Sequence, residues 1–155
     1  MDAADEIVRA FSFLEKELTY QRITSEYDPA HFGNAIVEYR SPRLRIRVTK
    51  DRGQYGCDFA APRGLAEWFD QDIVFRDLGE DQAVDELIIQ RWSSLDAVAA
   101  SVKKAIERIA HLFTDESYSA SRARFQHGQL RRVQKLFGDS VAGQIGGKTR
   151  GEGGG

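Results

Sequence analysis

One cysteine in 155 residues, Cys57, excludes an internal disulfide, so the chain must hold together by packing alone. Long apolar runs are missing as well. Stretches such as Leu87-Ile88-Ile89 and Ala97-Val98-Ala99-Ala100 fall far below the roughly 20 residues that cross a bilayer, which argues against a membrane span. The opening Met1-Asp2-Ala3-Ala4-Asp5-Glu6 is acidic where a secretory signal would be basic and then apolar; together with the lone thiol this predicts a cytoplasmic protein. The three histidines, His31, His111 and His127, are too dispersed to converge on a metal at local spacing, and no metal or other cofactor is expected.

What is present is a globular composition, 41% hydrophobic and 30% charged, of a length suited to one hydrophobic core. The net charge of −2 conceals an uneven distribution. Residues 122–155 contain seven Lys and Arg against two acids, a net of +5, leaving the remainder at −7. Within that acidic body, residues 67–86 hold Glu67, Asp70, Asp72, Asp77, Glu80, Asp81, Asp85 and Glu86, with only Arg76 to offset them.

Hydrophobic period assigns the elements. Ile7, Phe11, Leu14 and Leu18 recur at spacings of four, three and four, which predicts a first helix over Asp2–Leu18. The period then becomes two. Ala35, Val37 and Tyr39, then Leu44, Ile46 and Val48, then Tyr55, Cys57 and Phe59 each alternate with polar residues, and Thr19–Glu26 supplies a further strand before Asp28-Pro29. The turns Arg40-Ser41-Pro42-Arg43 and Asp51-Arg52-Gly53 are too short for parallel crossovers, so the strands form a four-stranded antiparallel meander.

Helices are expected to resume near Ile73–Leu78 and Val84–Ile89, and a long one opens at Ser93 and carries Leu95, Val98, Val102, Ile106, Ile109 and Phe113. Residues 115–137 read as a weaker helix. The reading is therefore an α+β domain over 1–137 with an N-terminal helix, the meander and C-terminal helices. Residues 138–155 read as a flexible, basic, glycine-rich tail, since seven of residues 143–155 are glycine.

No set of residues singles out a reaction. Ala142-Gly143-Gln144-Ile145-Gly146-Gly147-Lys148-Thr149 matches a loose phosphate-loop pattern, but the six residues after it cannot supply the helix whose N-terminus such a loop uses. The terminal Gly153-Gly154-Gly155 invites comparison with ubiquitin-like modifiers, although a helix followed by four strands is not their order, and a linker-like tail is the simpler reading. Asp58, or Asp70 with Asp72, could serve as an acid–base pair, yet no spacing distinguishes them from solvated carboxylates. Cys57 reads as a small buried hydrophobe rather than a reactive thiol.

Two features point to binding. Arg43, Arg45 and Arg47 alternate along one strand, with Arg40 across the turn, and a row of this kind on an open sheet face could hold anionic groups; pairing with residues such as Glu38 is the alternative. The acidic segment around Trp68, Asp70 and Asp72 could dock a basic partner, or form a solvated loop anchored by the tryptophan. A separate basic set, Arg122, Arg124, Arg131, Arg132 and Lys135, suits the phosphates of a nucleic acid.

The segments Ser25-Glu26-Tyr27-Asp28, Phe32-Gly33-Asn34-Ala35, Ser41-Pro42-Arg43-Leu44-Arg45-Ile46 and Asp51-Arg52-Gly53-Gln54 resemble a group of small bacterial proteins without an assigned activity. The resemblance covers at most the first half of the chain. It implies the meander and a bacterial, intracellular origin, and it brings no catalytic residue. The expectation is a non-enzymatic binding protein, of immunity or accessory type, whose partner is another protein. Nucleic-acid association through the basic segment is the alternative, with an enzyme built on carboxylates or Cys57 behind both.

Overall fold

A computed structural model describes residues 1–80 and 94–137. The chain begins with α1 (Ala3–Ala10), capped by Asp2, whose side chain accepts from Asp5 N at 2.8 Å while Asp5 accepts from Asp2 N. The single helix expected over Asp2–Leu18 is in fact two, because a short α2 (Phe13–Lys16) follows a break at Phe11-Ser12. Phe11, Phe13 and Leu14 are all buried, and at about 100° per residue a straight helix would turn Phe13 away from the other two. The break brings all three into the core, with the Phe11 and Phe13 rings 5.9 Å apart.

Four strands follow as the expected meander: β1 (Gln21–Asp28), β2 (Asn34–Arg40), β3 (Arg45–Asp51) and β4 (Gln54–Ala60), each antiparallel to the next. β1 starts two residues later than the sequence suggests, since Tyr20 is held back by a bond from its amide to Leu14 O and is buried against the sheet. A fifth strand, β5 (Phe69–Asp70), adds to β4 with Phe59 opposite Phe69. Two residues are too few for alternation to announce themselves in sequence.

Register defines the two faces. Tyr39, Ile46, Phe59 and Phe69 align across four strands, and Val37, Val48 and Cys57 align beside them; all seven side chains are buried. The helices pack on this face. Two of the turns that set the register are tight. Ser41 is buried and accepts through Oγ from the amides of Arg43 and Leu44, and the β3–β4 connection is Arg52-Gly53, both at positive φ, as a two-residue hairpin requires.

Beyond β5, Asp70 caps α3 (Gln71–Asp77) by accepting from Ile73 N at 3.0 Å. Ser94 caps α4 (Leu95–Leu112), one residue after the expected Ser93, and Val98, Val102, Ile106 and Ile109 are buried along it at the expected spacing. No helix among the described residues is long and apolar enough to cross a membrane. The helix expected at Val84–Ile89, the phosphate-loop match and the glycine-rich tail lie outside the described residues.

Residues 115–137 form a 20-residue helix, α5 (Tyr118–Phe137), which buries only Ser121 and Phe125. Its docking stripe is Ser121, Phe125, Gly128 and Arg132, spaced four, three and four, with small residues where an amphipathic helix would place large ones. The anchor is Phe125, fully buried with its ring 4.9 Å from Phe69 and 5.5 Å from Phe113. Truncating it, Phe125→Ala, is expected to cost about 3–5 kcal/mol in urea unfolding. By contrast, a methyl group at Gly128 would meet Ile73 at an ordinary 3.5 Å, so Gly128→Ala should raise stability by about 0.5–1 kcal/mol.

Candidate functional site

The arginine row divides among different tasks. Arg43 lies in the Ser41–Leu44 turn rather than on the strand and pairs with Glu107 of α4 at 2.7 Å, so it does not point with the others. Arg45 is 8% exposed and donates to the carbonyls of Pro62 and Gly64 at 3.1 and 2.8 Å. Arg47 donates to Asp58 through Nε and Nη2 at 3.2 and 3.0 Å, and Trp68 lies over its guanidinium at 4.4 Å. These two arginines therefore hold residues 62–68 down on the outer sheet face, a cation–π contact fixing one end and carbonyls the other. Arg40 remains exposed, opposite Arg45 in the ladder.

The acidic segment and the basic helix meet each other. Arg122 pairs with Glu67 at 2.6 Å, Arg124 with Asp77 at 2.8 Å, and Arg132 with Asp70 at 2.6 Å. Three of the five cations that suit a nucleic acid are thus used within the fold, and α5 supplies the counter-charge that the acidic stretch lacks in sequence. Glu67 holds the Arg122 guanidinium above its ordinary pKa through their hydrogen bond, and Asp77 does the same for Arg124. Arg131 and Lys135 are exposed and form no ion pair among the described residues.

Where this seam meets the sheet, a groove of about 210 Å³ opens between the outer face of β4 and the start of α3, lined by Thr49, Gly56, Asp58, Asp70, Asp72 and Arg132. The Arg132–Asp70 pair forms part of its wall. No group of three or more His, Cys, Asp or Glu able to hold a metal occurs among the described residues. Cys57 is 2% exposed, and burial, with the nearby Asp58 charge second, pushes its thiol well above the ordinary range. The fold favours the neutral thiol, as a small buried hydrophobe would require.

Exposed apolar side chains occur at Met1, at Leu65, along the end of α5 at Leu130, Leu136 and Phe137, and in a group of four elsewhere. Ile23 (49% exposed), Tyr27 (42%), Phe32 (76%) and Ile36 (40%) all belong to the β1–β2 hairpin. Ile36 faces outward between Glu26 and Thr49, and Tyr27 is on the opposite face beside Ala35. Phe32 occupies the connecting turn at φ 60°, the left-handed region that a bulky side chain enters at a cost.

Phe32 and Arg52 are the two non-glycine residues at positive φ among those described, and they touch: the Arg52 guanidinium lies 5.8 Å from the Phe32 ring centre. Asn34 ties their turns together, donating to Asp51 at 3.2 Å and accepting from Arg52 N at 2.9 Å. His31 Nδ1 lies 2.6 Å from Asp28, which also accepts from Ala30 N, and the His31 contact lowers the Asp28 pKa. Periodicity could not reveal this tip, although Phe32 beside Gly33 in a turn is a legible oddity.

No protein-family model, no curated protein and no solved structure matches the chain.

Two measurements follow from this geometry. Because the Asp77 side chain is only 12% exposed, Arg124→Ala strands a largely desolvated carboxylate and should cost about 1 kcal/mol in urea unfolding, after allowance for the exposed guanidinium, whereas Arg122→Ala leaves the midpoint close to wild type. Native Cys57 should resist thiol reagents. Its raised pKa makes its stability contribution complete below the ordinary thiol range and progressively lost as pH rises above it, so Cys57→Ala should flatten the alkaline limb of a stability–pH profile.

Proposed function

We propose that this protein is a non-enzymatic binding module that engages another protein through the tip and outer face of its β1–β2 hairpin. The observation that carries the reading is Phe32: 76% exposed, held at φ 60° and facing the guanidinium of Arg52 at 5.8 Å, a residue itself at positive φ. A left-handed conformation costs a non-glycine residue about 1–2 kcal/mol, and a ring this exposed recovers only part of that, through its one contact with Arg52. Retaining a phenylalanine there makes sense if the ring is buried by something else. Aromatic rings and arginines at the centre of a patch are the side chains that dominate protein interfaces.

Internal pairing favours this surface over the two that charge alone suggests. Glu67, Asp70 and Asp77 already have guanidinium partners in α5, so a basic protein docking on them would have to displace Arg122, Arg132 and Arg124. The same contacts withdraw those arginines from a nucleic acid, leaving Arg131 and Lys135 on the exposed side. Binding there would weaken steeply with salt, whereas apolar docking at the hairpin would weaken little.

A photo-crosslinking residue placed at position 32 or 36 tests the reading in a cell lysate treated with nuclease. The expected outcome is a discrete protein adduct at both positions, absent when the crosslinker is at Glu116 and competed away by unlabelled wild-type protein. Phe32→Gly should fail to compete while being more stable than wild type by about 1 kcal/mol or less, because glycine relieves the left-handed strain. Equal adducts at Glu116, or undiminished competition by Phe32→Gly, would overturn it.

A further inference from the structure

We infer that the groove beside Gly56 binds a small neutral polyol, of the size of one sugar ring. Its floor gives the first sign. Gly56 is not among the glycines at positive φ, so the backbone there admits any residue, and a glycine inside a strand weakens it unless something must approach closely. A Cβ at that position would come within 3.3 Å of Thr49 Oγ1, crowding a hydroxyl that lines the groove.

The second sign, independent of the first, is Gln71. It lines the same groove from the start of α3, is 3% exposed, and its Nε2 has no hydrogen-bond partner among the described residues. A buried N–H donor without an acceptor is a cost that folded chains rarely leave standing. An acceptor brought into the groove by a ligand would remove it.

The other lining side chains select the class of ligand. Asp51, Asp58, Asp70 and Asp72 stand against Arg132, a balance that repels an anion. An ammonium or guanidinium carries no acceptor and would leave Gln71 as it is. A hydroxyl does both, so a ring of hydroxyls can accept from Gln71 while donating to the carboxylates. Ion pairing with Arg47 and Arg132 does not prevent this, because a carboxylate offers about four lone-pair sites and these pairs use only some of those on Asp58 and Asp70. The volume of about 210 Å³, room for about seven waters at about 30 Å³ each, is the scale of one ring and not of a nucleotide or an oligosaccharide.

Amide chemical shifts of the full chain, followed by NMR as glucose, galactose or myo-inositol is added, test it. At least one of these polyols should move the Gly56 backbone amide and the Gln71 side-chain amide along one saturable curve, with a Kd on the order of 1 mM, while spermidine and glucose 6-phosphate saturate neither. Gly56→Ala narrows the floor, and Gln71→Met keeps the length of the side chain while removing its donor; each should weaken binding about tenfold. Unchanged amide shifts in β2 and α4 show that a variant folds, and either variant decides the matter where the other does not. No saturable shift with any of the polyols, tighter binding of spermidine, or undiminished affinity in a folded variant overturns the proposal. The groove uses neither Phe32 nor Arg52, so Phe32→Gly should titrate as wild type does even as it loses the crosslinked partner.

Discussion

The seating of α5 on the acidic segment is the contact on which the arrangement of the second half of the molecule depends. One ring, Phe125, fills the space between Phe69 and Phe113, and the arginines around it meet Glu67, Asp77 and Asp70. Burial fixes where the helix lies, and the ion pairs fix its rotation, because guanidinium geometry is directional while the hydrophobic contribution is not. Among the described residues, three carboxylates of the acidic stretch and three arginines of the basic segment satisfy one another.

A similar economy governs the outer sheet face. Arg45 and Arg47 come from one strand with the spacing of an anion-binding row, yet the first binds backbone carbonyls and the second lies between Asp58 and Trp68. Both turn the row into a clamp on the chain's own loop. What is left unsatisfied is the opposite corner, where Phe32 and Arg52 hold strained backbones and the β1 edge has no neighbouring strand among the described residues. Strain held under an exposed ring is the observation on which the proposed binding role rests.

The meander was legible in the alternation at Ala35–Tyr39, Leu44–Val48 and Tyr55–Phe59, because a strand with one buried face must repeat every second residue. Helix α4 was legible for the same reason at a different period. The break at Phe11-Ser12 was not, since Ile7, Phe11, Leu14 and Leu18 satisfy a continuous helix equally well and only the burial of Phe13 distinguishes the two. Helix α5 was underestimated because it docks through Ser121 and Gly128, residues whose smallness carries no hydrophobic signal.

The order of amino acids by itself determined the class of fold, the faces of the strands and the opposition between an acidic body and a basic segment, because period and charge are local properties of a chain. Which charges neutralise which, whether an arginine faces solvent or a carbonyl, and which aromatic is left without a neighbour were decided only by tertiary structure. Arg132 and Asp70 are 62 positions apart, and Arg122 and Glu67 are 55 apart. Contacts at that separation depend on how helices pack against a sheet, a property of the folded whole that no window of sequence contains.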